Sequence, residues 1–476
     1  DGNSSGIFSI VNPGAEGNSG DISIKAASLS LFNEARLFSS ADGEGNSGNL
    51  QIQANSLSAT GASQLATFIS GRKEDGNLIT AGDVILEING PVTFDGSVNT
   101  TPSGVFSIVN PEAKGAGGTI DIKADSLSVT NGAQLNTFLS GTGEAGNVKV
   151  LVNKSIAFDG NVNGISSGIF SDVNSGASGK GGDINITSNT GNFSLTNKAE
   201  LSAKSSGDGN AGNISVNVPD TLRANDGTVS TISNKNSGGV IDDRAPYIRL
   251  DGDSDIRTFV SKGEGIGGNI FLTSDLIFAL SDSDILAFAL EGKGGNIKLD
   301  TPIFLGFLYQ PTYSGTDPRT LDGNGRVDIN ASGAISDGTI TLPDTDPSRG
   351  LTPLPTTFVD ASELIDPSCS LSSSKSSSQF VNTGRGGLPQ SPNNPLNPDA
   401  TVRRVATPIA RSPRRRRSQT GSGQSTMPLP DNKQPEPVVE AQGWVRLRNG
   451  KIRLVAQTPS VTPQGNWQTT TGCYGH

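Results

Sequence analysis

Short runs of alternating apolar and polar residues recur along residues 1–342 and define a repeat. Each repeat begins with a glycine and a polar residue, followed by alternating apolar positions, as in residues 20–24 and 146–150. Two further alternating runs follow, for example at 56–59 and 62–68. The repeats start at Gly20, Gly48, Gly82, Gly118, Gly146, Gly182, Gly212, Gly239, Gly268 and Gly295, 27 to 36 residues apart. Such alternation indicates β-strands, and the Gly, Asn and Ser residues between the runs indicate turns.

Three strands in each repeat of about 28 residues predict one coil of an all-β, right-handed parallel β-helix, a β-solenoid. Because coils stack at ~4.8 Å, ten starts predict a rod of roughly 45–50 Å. Equivalent inward positions should form columns along the rod. One predicted column consists of Leu37, Leu65, Leu135, Leu201, Val229, Ile256 and Ile285. A β-sandwich is the alternative, although it predicts neither a near-constant period nor such columns.

The asparagines beside the coil-start glycines and the extra length of some repeats lead to two further structural predictions. The asparagines beside the coil-start glycines are expected to form a ladder of side-chain amides. They are Asn49, Asn147, Asn213, Asn269 and Asn296. The repeats of 34 to 36 residues should hold extra loops around residues 94–101 and 158–166.

Charge and proline content divide the chain near residue 343. Residues 1–342 carry 37 acidic and 21 basic side chains with 9 prolines, whereas residues 343–476 carry 9 and 15 with 17 prolines. We expect a solenoid over 1–342, a cap segment over 343–369, and a Pro/Ser/Arg-rich linker over 370–441 that is largely extended or disordered. A C-terminal motif over 442–476 contains both tryptophans.

Composition excludes several classes of site. The chain has one histidine, His476, and two cysteines, which rules out His-based catalytic triads, His-rich zinc sites and iron–sulfur clusters. No apolar run approaches the ~18 residues of a membrane span. The 61 glycines are nearly twice the usual ~7% of residues, which favours a thin core with many turns. Because the chain begins at Asp1 rather than Met, we expect a fragment or a processed product.

The repeats and the closing segments together resemble a family. The Gly-Asn-Ile-x-Ile, Ser-Leu-Ser-Leu and Ala-x-Leu runs resemble filamentous-haemagglutinin-like exoproteins of two-partner secretion, of the cyanobacterial type often labelled S-layer family proteins. Residues 349–369, 383–389 and 443–473 resemble the segments that follow the helix in that family. The resemblance covers nearly the whole chain and corresponds to the C-terminal part of such a protein.

The resemblance implies a secreted adhesin or surface-layer component without enzymatic residues. Its partners would be an outer-membrane transporter and a cell-surface or extracellular polysaccharide, with localisation at the cell surface. In an exported chain, Cys369 and Cys473 are expected to form a disulfide across the linker, which would anchor the protein at its transporter or act as a structural staple. Two free thiols are the remaining alternative.

Acidic residues fall in register on three successive coils. Asp226, Asp253 and Asp282 form one column, with Asp255 beside Asp284. Stacked carboxylates repel one another unless they are solvated or bridged by a cation, and calcium is a cation with oxygen ligands. The alternative is a set of exposed turn residues. Residues 322–328 begin like an EF-hand loop, but Arg326, Val327 and Gly333 occupy positions that need other residues, so we reject that motif.

One basic run lies in the tail. It consists of Arg403, Arg404, Arg411, Arg414, Arg415, Arg416 and Arg417. No aromatic residues are interleaved with these arginines, which argues against nucleic acid as a partner. The remaining interpretations are a solvated linker, a contact with anionic polysaccharide or lipid headgroups, and lateral self-association through the acidic rod of a neighbouring molecule.

An enzymatic function is the rival hypothesis, because parallel β-helices also host polysaccharide lyases and hydrolases. The acidic column is the only constellation available for it, with calcium as a cofactor and Arg257 or Lys262 as a base. We expect a non-enzymatic protein without a cofactor, and keep a calcium-dependent polysaccharide-binding or polysaccharide-cleaving site as the alternative.

Overall fold

The chain forms an all-β parallel β-solenoid, as the repeat predicts. The computed structural model describes residues 5–74, 76–310 and 316–343, together with two short strands in the tail. Three long parallel sheets run the length of the solenoid, and in each sheet the strand order follows the sequence. Every strand between the first and the last of its sheet therefore pairs with the equivalent strands of the preceding and following coils.

Each complete coil contributes one strand to each long sheet. Sheet 1 contains Ile22–Lys25, Leu50–Ala54, Val84–Ile88, Ile120–Ala124, Val148–Val152, Ile184–Ser188, Ile214–Asn217, Ile241–Arg244, Ile270–Thr273, Ile297–Asp300 and Ile340–Thr341. Sheet 2 contains Leu29–Leu31, Leu57–Thr60, Pro91–Asp95, Ser126–Thr130, Ile156–Asp159, Phe193–Thr196, Thr221–Asn225, Tyr247–Asp251, Leu276–Ala279 and Phe304–Gly306. Sheet 3 contains Gly6–Val11, Arg36–Ala41, Gln64–Ile69, Gly104–Val109, Gln134–Leu139, Gly168–Phe170, Glu200–Ser202, Thr228–Ser230, Asp255–Arg257, Ile285–Leu286 and Ile329–Asn330.

Smaller elements complete the described chain. A fourth parallel sheet contains Ile79–Thr80, Lys114–Ala116, Thr142–Glu144 and Ser178–Lys180. Two antiparallel hairpins are formed by Ser97–Val98 with Thr101–Pro102 and by Asn161–Val162 with Ile165–Ser166. A 3₁₀-helix spans Pro318–Thr320. In the predicted C-terminal motif, Gly443–Arg446 pairs antiparallel with Ile452–Val455. The expected cap and linker segments lie outside the described residues, apart from residue 343.

The predicted inward column is confirmed in sheet 3, and its members lie in one continuous core. Leu37 pairs with Leu65, Leu201 with Val229, and Ile256 with Ile285. The column also contains Val105, Ile169 and Ile329, which the sequence pattern did not assign to it.

Close stacking of the backbone explains the glycine at each coil start. A Cβ atom on Gly146 would lie 2.0 Å from the carbonyl oxygen of Gly118, the same position one coil earlier. These glycines are therefore required by close approach of adjacent coils, rather than by a left-handed turn conformation. Inward hydroxyl groups of sheet 3 use the space, since Thr137 Oγ1 and Ser171 Oγ donate to the Gly146 carbonyl at 2.6 and 2.8 Å.

The predicted amide ladder is wrong in its chemistry, although the side chains do link adjacent coils. Each side-chain oxygen accepts a hydrogen bond from a backbone N–H of the next coil, as Asn49 Oδ1 does from Asp83 at 2.8 Å. Aspartates serve as well as asparagines, because only an acceptor is needed: Asp183 Oδ1 accepts from the backbone of Asn213 at 2.9 Å. The bonds that all five asparagines share are therefore from main chain to side chain, and Asn213 alone adds a side-chain bond, from its Nδ2 to Asp183 Oδ1 at 2.9 Å.

Insertions account for the longer coils. The two antiparallel hairpins lie between sheets 2 and 3 at the positions predicted for the surplus residues. In the coil that starts at Gly48, the surplus instead lies between Gln64–Ile69 and Ile79–Thr80. An eleventh coil start at Gly338 escaped the repeat analysis, because an insertion after Phe304–Gly306 lengthens that coil.

Candidate functional site

The predicted acidic residues lie together near the C-terminal end of the solenoid, where sheet 2 turns into sheet 3. The backbone N–H of Asp253 donates to Asp226 Oδ1 at 3.0 Å, which links these two positions across adjacent coils. Asp255 and Asp284 occupy neighbouring strand positions, since Ile256 donates to the Asp284 carbonyl at 2.9 Å. The register predicted from the spacing is therefore present.

The insertion adds residues that the sequence analysis did not assign to this site. Asp322, which follows the 3₁₀-helix, approaches the two outer aspartates of the column. One carboxylate oxygen from each of Asp253, Asp282 and Asp322 lies within 4.8 Å of the others. Asp226 is not part of that trio; its Oδ1 accepts the hydrogen bond from the Asp253 backbone N–H. We call Asp253, Asp282 and Asp322 the outer trio.

A buried layer of acids lies beneath the outer trio. Asp255, Asp284 and Asp328 are 4%, 0% and 0% exposed. The backbone N–H of Asp328 donates to Asp284 Oδ1 at 2.8 Å, whereas Asp284 Oδ2 has no hydrogen-bond partner. A buried carboxylate oxygen without a partner is costly unless the group is protonated or neutralised.

Two arginines neutralise part of this layer. Arg257 Nη1 lies 3.1 Å from Asp255 Oδ2 and 3.3 Å from Asp322 Oδ2, so it joins the buried layer to the outer trio. Arg326 binds Asp328 through Nη2 at 2.7 Å and Nε at 3.1 Å. The segment rejected as an EF-hand thus supplies ion pairs to this site.

Burial dominates the electrostatics of the cluster. Burial, together with the neighbouring carboxyl groups of Asp255, Asp328 and Asp282, raises the pKa of Asp284 to about 8, although the hydrogen bond from the Asp328 N–H opposes the shift. Burial also raises the pKa of Asp255 to about 6, although Arg257 opposes the shift. The pKa of Asp253 is raised by burial and then by Asp322 and Asp282. Without a cation, Asp284 is mostly protonated at neutral pH.

The arrangement suits a hydrated divalent cation better than acid–base catalysis by Arg257. Three carboxylate oxygens at the surface supply part of the six to eight oxygen ligands that calcium takes, and water can supply the rest. The Arg257 guanidinium is already engaged by the carboxylates of Asp255 and Asp322. Lys262 is exposed and forms no ion pair within the described residues.

The other predicted site residues cannot be placed. Cys369, Cys473 and the arginines of the basic run lie outside the described residues. The disulfide and the basic contact surface therefore stay predictions. In the described part of the chain, no helix is long and apolar enough to cross a membrane.

Comparisons with known proteins add nothing to the description of this chain as a β-solenoid. The chain matches no protein-family model, no curated protein and no solved structure.

Proposed function

We propose that this chain is the solenoid and tail of a secreted, non-enzymatic protein of the cell surface or extracellular matrix, an adhesin or surface-layer component exported through a two-partner outer-membrane transporter. The solenoid would serve as a spacer and as a display surface. The tail would hold the protein at the cell through its basic run and through a disulfide between Cys369 and Cys473. Extracellular polysaccharide is the proposed ligand.

The observation that carries this proposal is the unbroken stack of coils. Sheets 1 and 3 each contain eleven strands in register, and one continuous core connects them. At ~4.8 Å per coil, the stack is about 50 Å long. Repeat architectures of this kind present extended surfaces for binding. The resemblance of the repeats and of the tail motifs to two-partner exoproteins supports the same conclusion.

Surface exposure can be tested by chemical labelling of intact cells. The solenoid offers exposed lysines, among them Lys154 and Lys235, whose side chains are 67% and 58% exposed. We expect a membrane-impermeant, lysine-reactive biotin reagent to label the chain as fully on intact producing cells as after lysis. A cytoplasmic enzyme from the same cells, labelled only after lysis, is the control. Labelling of the chain only after lysis would contradict the proposal.

A calcium-dependent polysaccharide-binding or polysaccharide-cleaving protein is the second candidate function. It is favoured by the outer trio of carboxylates and by the buried, unpartnered oxygen of Asp284 beneath it. Calcium bound there could hold the carboxylate of an acidic sugar, as calcium accepts oxygen ligands from several sources.

Calcium should stabilise the solenoid if the outer trio binds it. At a hundredfold excess over Kd, the free energy of unfolding is expected to rise by about 3 kcal/mol. Asp253→Asn/Asp282→Asn should abolish the gain, whereas Asp220→Asn/Asp275→Asn, two exposed acids elsewhere, should retain it. Urea unfolding with calcium or with EDTA measures both.

Two results would change these conclusions. If calcium leaves the unfolding of the unmodified chain unchanged, the metal site is refuted. If acidic polysaccharide incubated with the calcium-loaded chain yields new reducing ends or unsaturated products, and Asp253→Ala/Asp282→Ala abolishes them, the non-enzymatic proposal is wrong.

A further inference from the structure

A groove lies on the outer face of sheet 3, in the N-terminal half of the solenoid and away from the acidic cluster. The antiparallel hairpin at 97–102 contributes Pro102 to one wall. The groove encloses about 460 Å³, within the range of ~300–1,000 Å³ that is typical of ligand sites.

Aromatic rings form the floor of the groove. Phe38, Phe68, Phe106 and Phe138 come from four successive strands of sheet 3 and point outward, because the alternating positions beside them point into the core. The ring centroids of Phe38 and Phe68 are 5.4 Å apart, so the aromatic surface is continuous across these two strands. Such a floor packs against the C–H faces of a flat ligand.

Two buried polar groups at the groove lack hydrogen-bond partners. They are Arg36 Nε on the second strand of sheet 3 and Asn136 Oδ1 on the fifth, where Asn136 is only 9% exposed. The neighbouring amides are occupied, since Gln64 Nε2 donates to the Pro102 carbonyl at 3.2 Å and Gln134 Nε2 to the Ser166 carbonyl at 3.1 Å. Buried polar groups are nearly always paired, so an unpaired donor and an unpaired acceptor in one groove indicate a ligand that supplies both partners.

The charge of the groove selects an anionic ligand. Arg36 forms no ion pair within the described residues, and no carboxylate is among the described residues that line the groove. This is unusual in a chain whose net charge is −10. The arginine therefore presents an uncompensated positive charge beside an apolar floor.

We propose that this groove binds an acidic oligosaccharide, a chain of sugars that carry carboxylate groups. The sugar rings would pack on the phenylalanines, a carboxylate would accept hydrogen bonds from Arg36, and a hydroxyl group would donate to Asn136 Oδ1. Three strand spacings of ~4.8 Å separate Arg36 from Asn136, about 14 Å, which requires several sugar units. The inference rests on the proposed function, because it names the ligand class of an extracellular binding surface.

A bound peptide fits these observations less well. The backbone groups of the groove strands are already paired with both neighbouring strands, so a peptide could not extend the sheet there. An apolar side chain would cover the rings but leave Asn136 Oδ1 without a donor. Sugar hydroxyl groups and a carboxylate satisfy both unpaired groups.

Calorimetric titration of the full chain with an oligogalacturonate tests the inference. EDTA is present throughout, so that calcium at the acidic cluster contributes nothing. Arg36→Gln introduces glutamine, which occupies the equivalent position of two neighbouring strands as Gln64 and Gln134. This substitution should weaken binding about tenfold or more. Phe68→Ile, which copies its neighbour Ile108, should weaken binding as well. A neutral malto-oligosaccharide of equal length should bind more weakly than the oligogalacturonate.

Matched substitutions outside the groove provide the controls. Arg223→Gln removes an exposed arginine of sheet 2, and Phe32→Ile changes a phenylalanine that is 64% exposed; both should leave affinity unchanged. Unchanged thermal unfolding shows that a variant is folded, and Phe138→Ile replaces Phe68→Ile if the latter is not.

Absence of oligogalacturonate binding, or binding that Arg36→Gln leaves unaltered, overturns the proposal. Equally tight binding of poly-glutamate that Arg36→Gln abolishes would assign the groove to an acidic peptide instead. Neither result bears on the labelling experiment that tests surface exposure.

Discussion

Gly146→Ala is expected to lower the free energy of unfolding by about 3 kcal/mol, although it adds a single methyl group. The new Cβ would lie 2.0 Å from the Gly118 carbonyl oxygen, and its position is fixed by the tightly stacked backbone of adjacent coils. Any shift that relieves this contact also disturbs the buried hydrogen bonds from Thr137 and Ser171 to the Gly146 carbonyl. Urea unfolding followed by circular dichroism measures the loss.

The chain contains its own control for this substitution. Gly20 occupies the same repeat position in the first described coil, where its Cβ would meet only Ser9 Oγ, at 3.4 Å. Gly20→Ala should therefore change stability by less than about 1 kcal/mol. Equal unfolding midpoints for the two variants would refute the explanation of the coil-start glycines by backbone stacking.

Asp243→Leu is expected to stabilise the chain by about 4 kcal/mol or more at pH 7. Asp243 points into the core at a sheet 1 position where its neighbours are Val216 and Leu272, is 0% exposed, and has no hydrogen-bond partner on either carboxylate oxygen. Burial, followed by the charge of Asp242, raises the pKa of Asp243 to about 8. Leucine removes the buried polar group and restores the pattern of the column.

The gain should depend on pH in a defined direction. Below about pH 4 the carboxyl group of Asp243 is protonated in both the folded and the unfolded chain, so its ionisation costs no stability. Between pH 4 and pH 8 only the unfolded chain ionises, and the destabilisation by Asp243 grows by about 1.4 kcal/mol per pH unit. Above pH 8 the folded chain ionises too, and the difference levels off.

Unfolding measured from pH 4 to pH 9 in Asp243→Leu and in Asp121→Leu separates this effect from a general change in charge. Asp121 lies on an outward-facing position of the same sheet, so its substitution should alter stability by only about 0.5 kcal/mol. Asp243→Asn, which keeps the polarity but loses the charge, should give the pH-dependent part of the gain. A gain in Asp243→Leu that does not vary with pH would mean that Asp243 is paired in solution.

The repeat predicted the fold because each coil obeys the same local rule. Period-two alternation gave the strands, and equal spacing gave the register of Leu37, Leu65 and their equivalents. The rule failed where a long insertion separates Gly295 from Gly338, since equal spacing was then lost. That insertion carries Asp322 and Asp328, so two of the six aspartates of the acidic cluster could not be located from the repeat.

The groove escaped prediction for a different reason. In residues 104–109 both alternating positions are apolar, as with Val105 and Phe106, so the sequence does not say which side chain faces the core. Register with Leu65 assigns Val105 to the core and leaves Phe106 outside.

The buried Asp243 was not predicted either, because the coil that starts at Gly239 matches the repeat in spacing but not in residue type.

Stacking by parallel strands also determines how the solenoid would respond to force. The hydrogen bonds between coils run along the stack, so tension applied along that direction loads one coil interface at a time instead of shearing a whole sheet. Each released coil of about 28 residues exchanges a rise of ~4.8 Å for nearly 100 Å of extended chain. A rod built this way lengthens in steps under tension. The hydrogen bonds from the backbone of one coil to side-chain oxygens of the adjacent coil would form again as each coil rewinds.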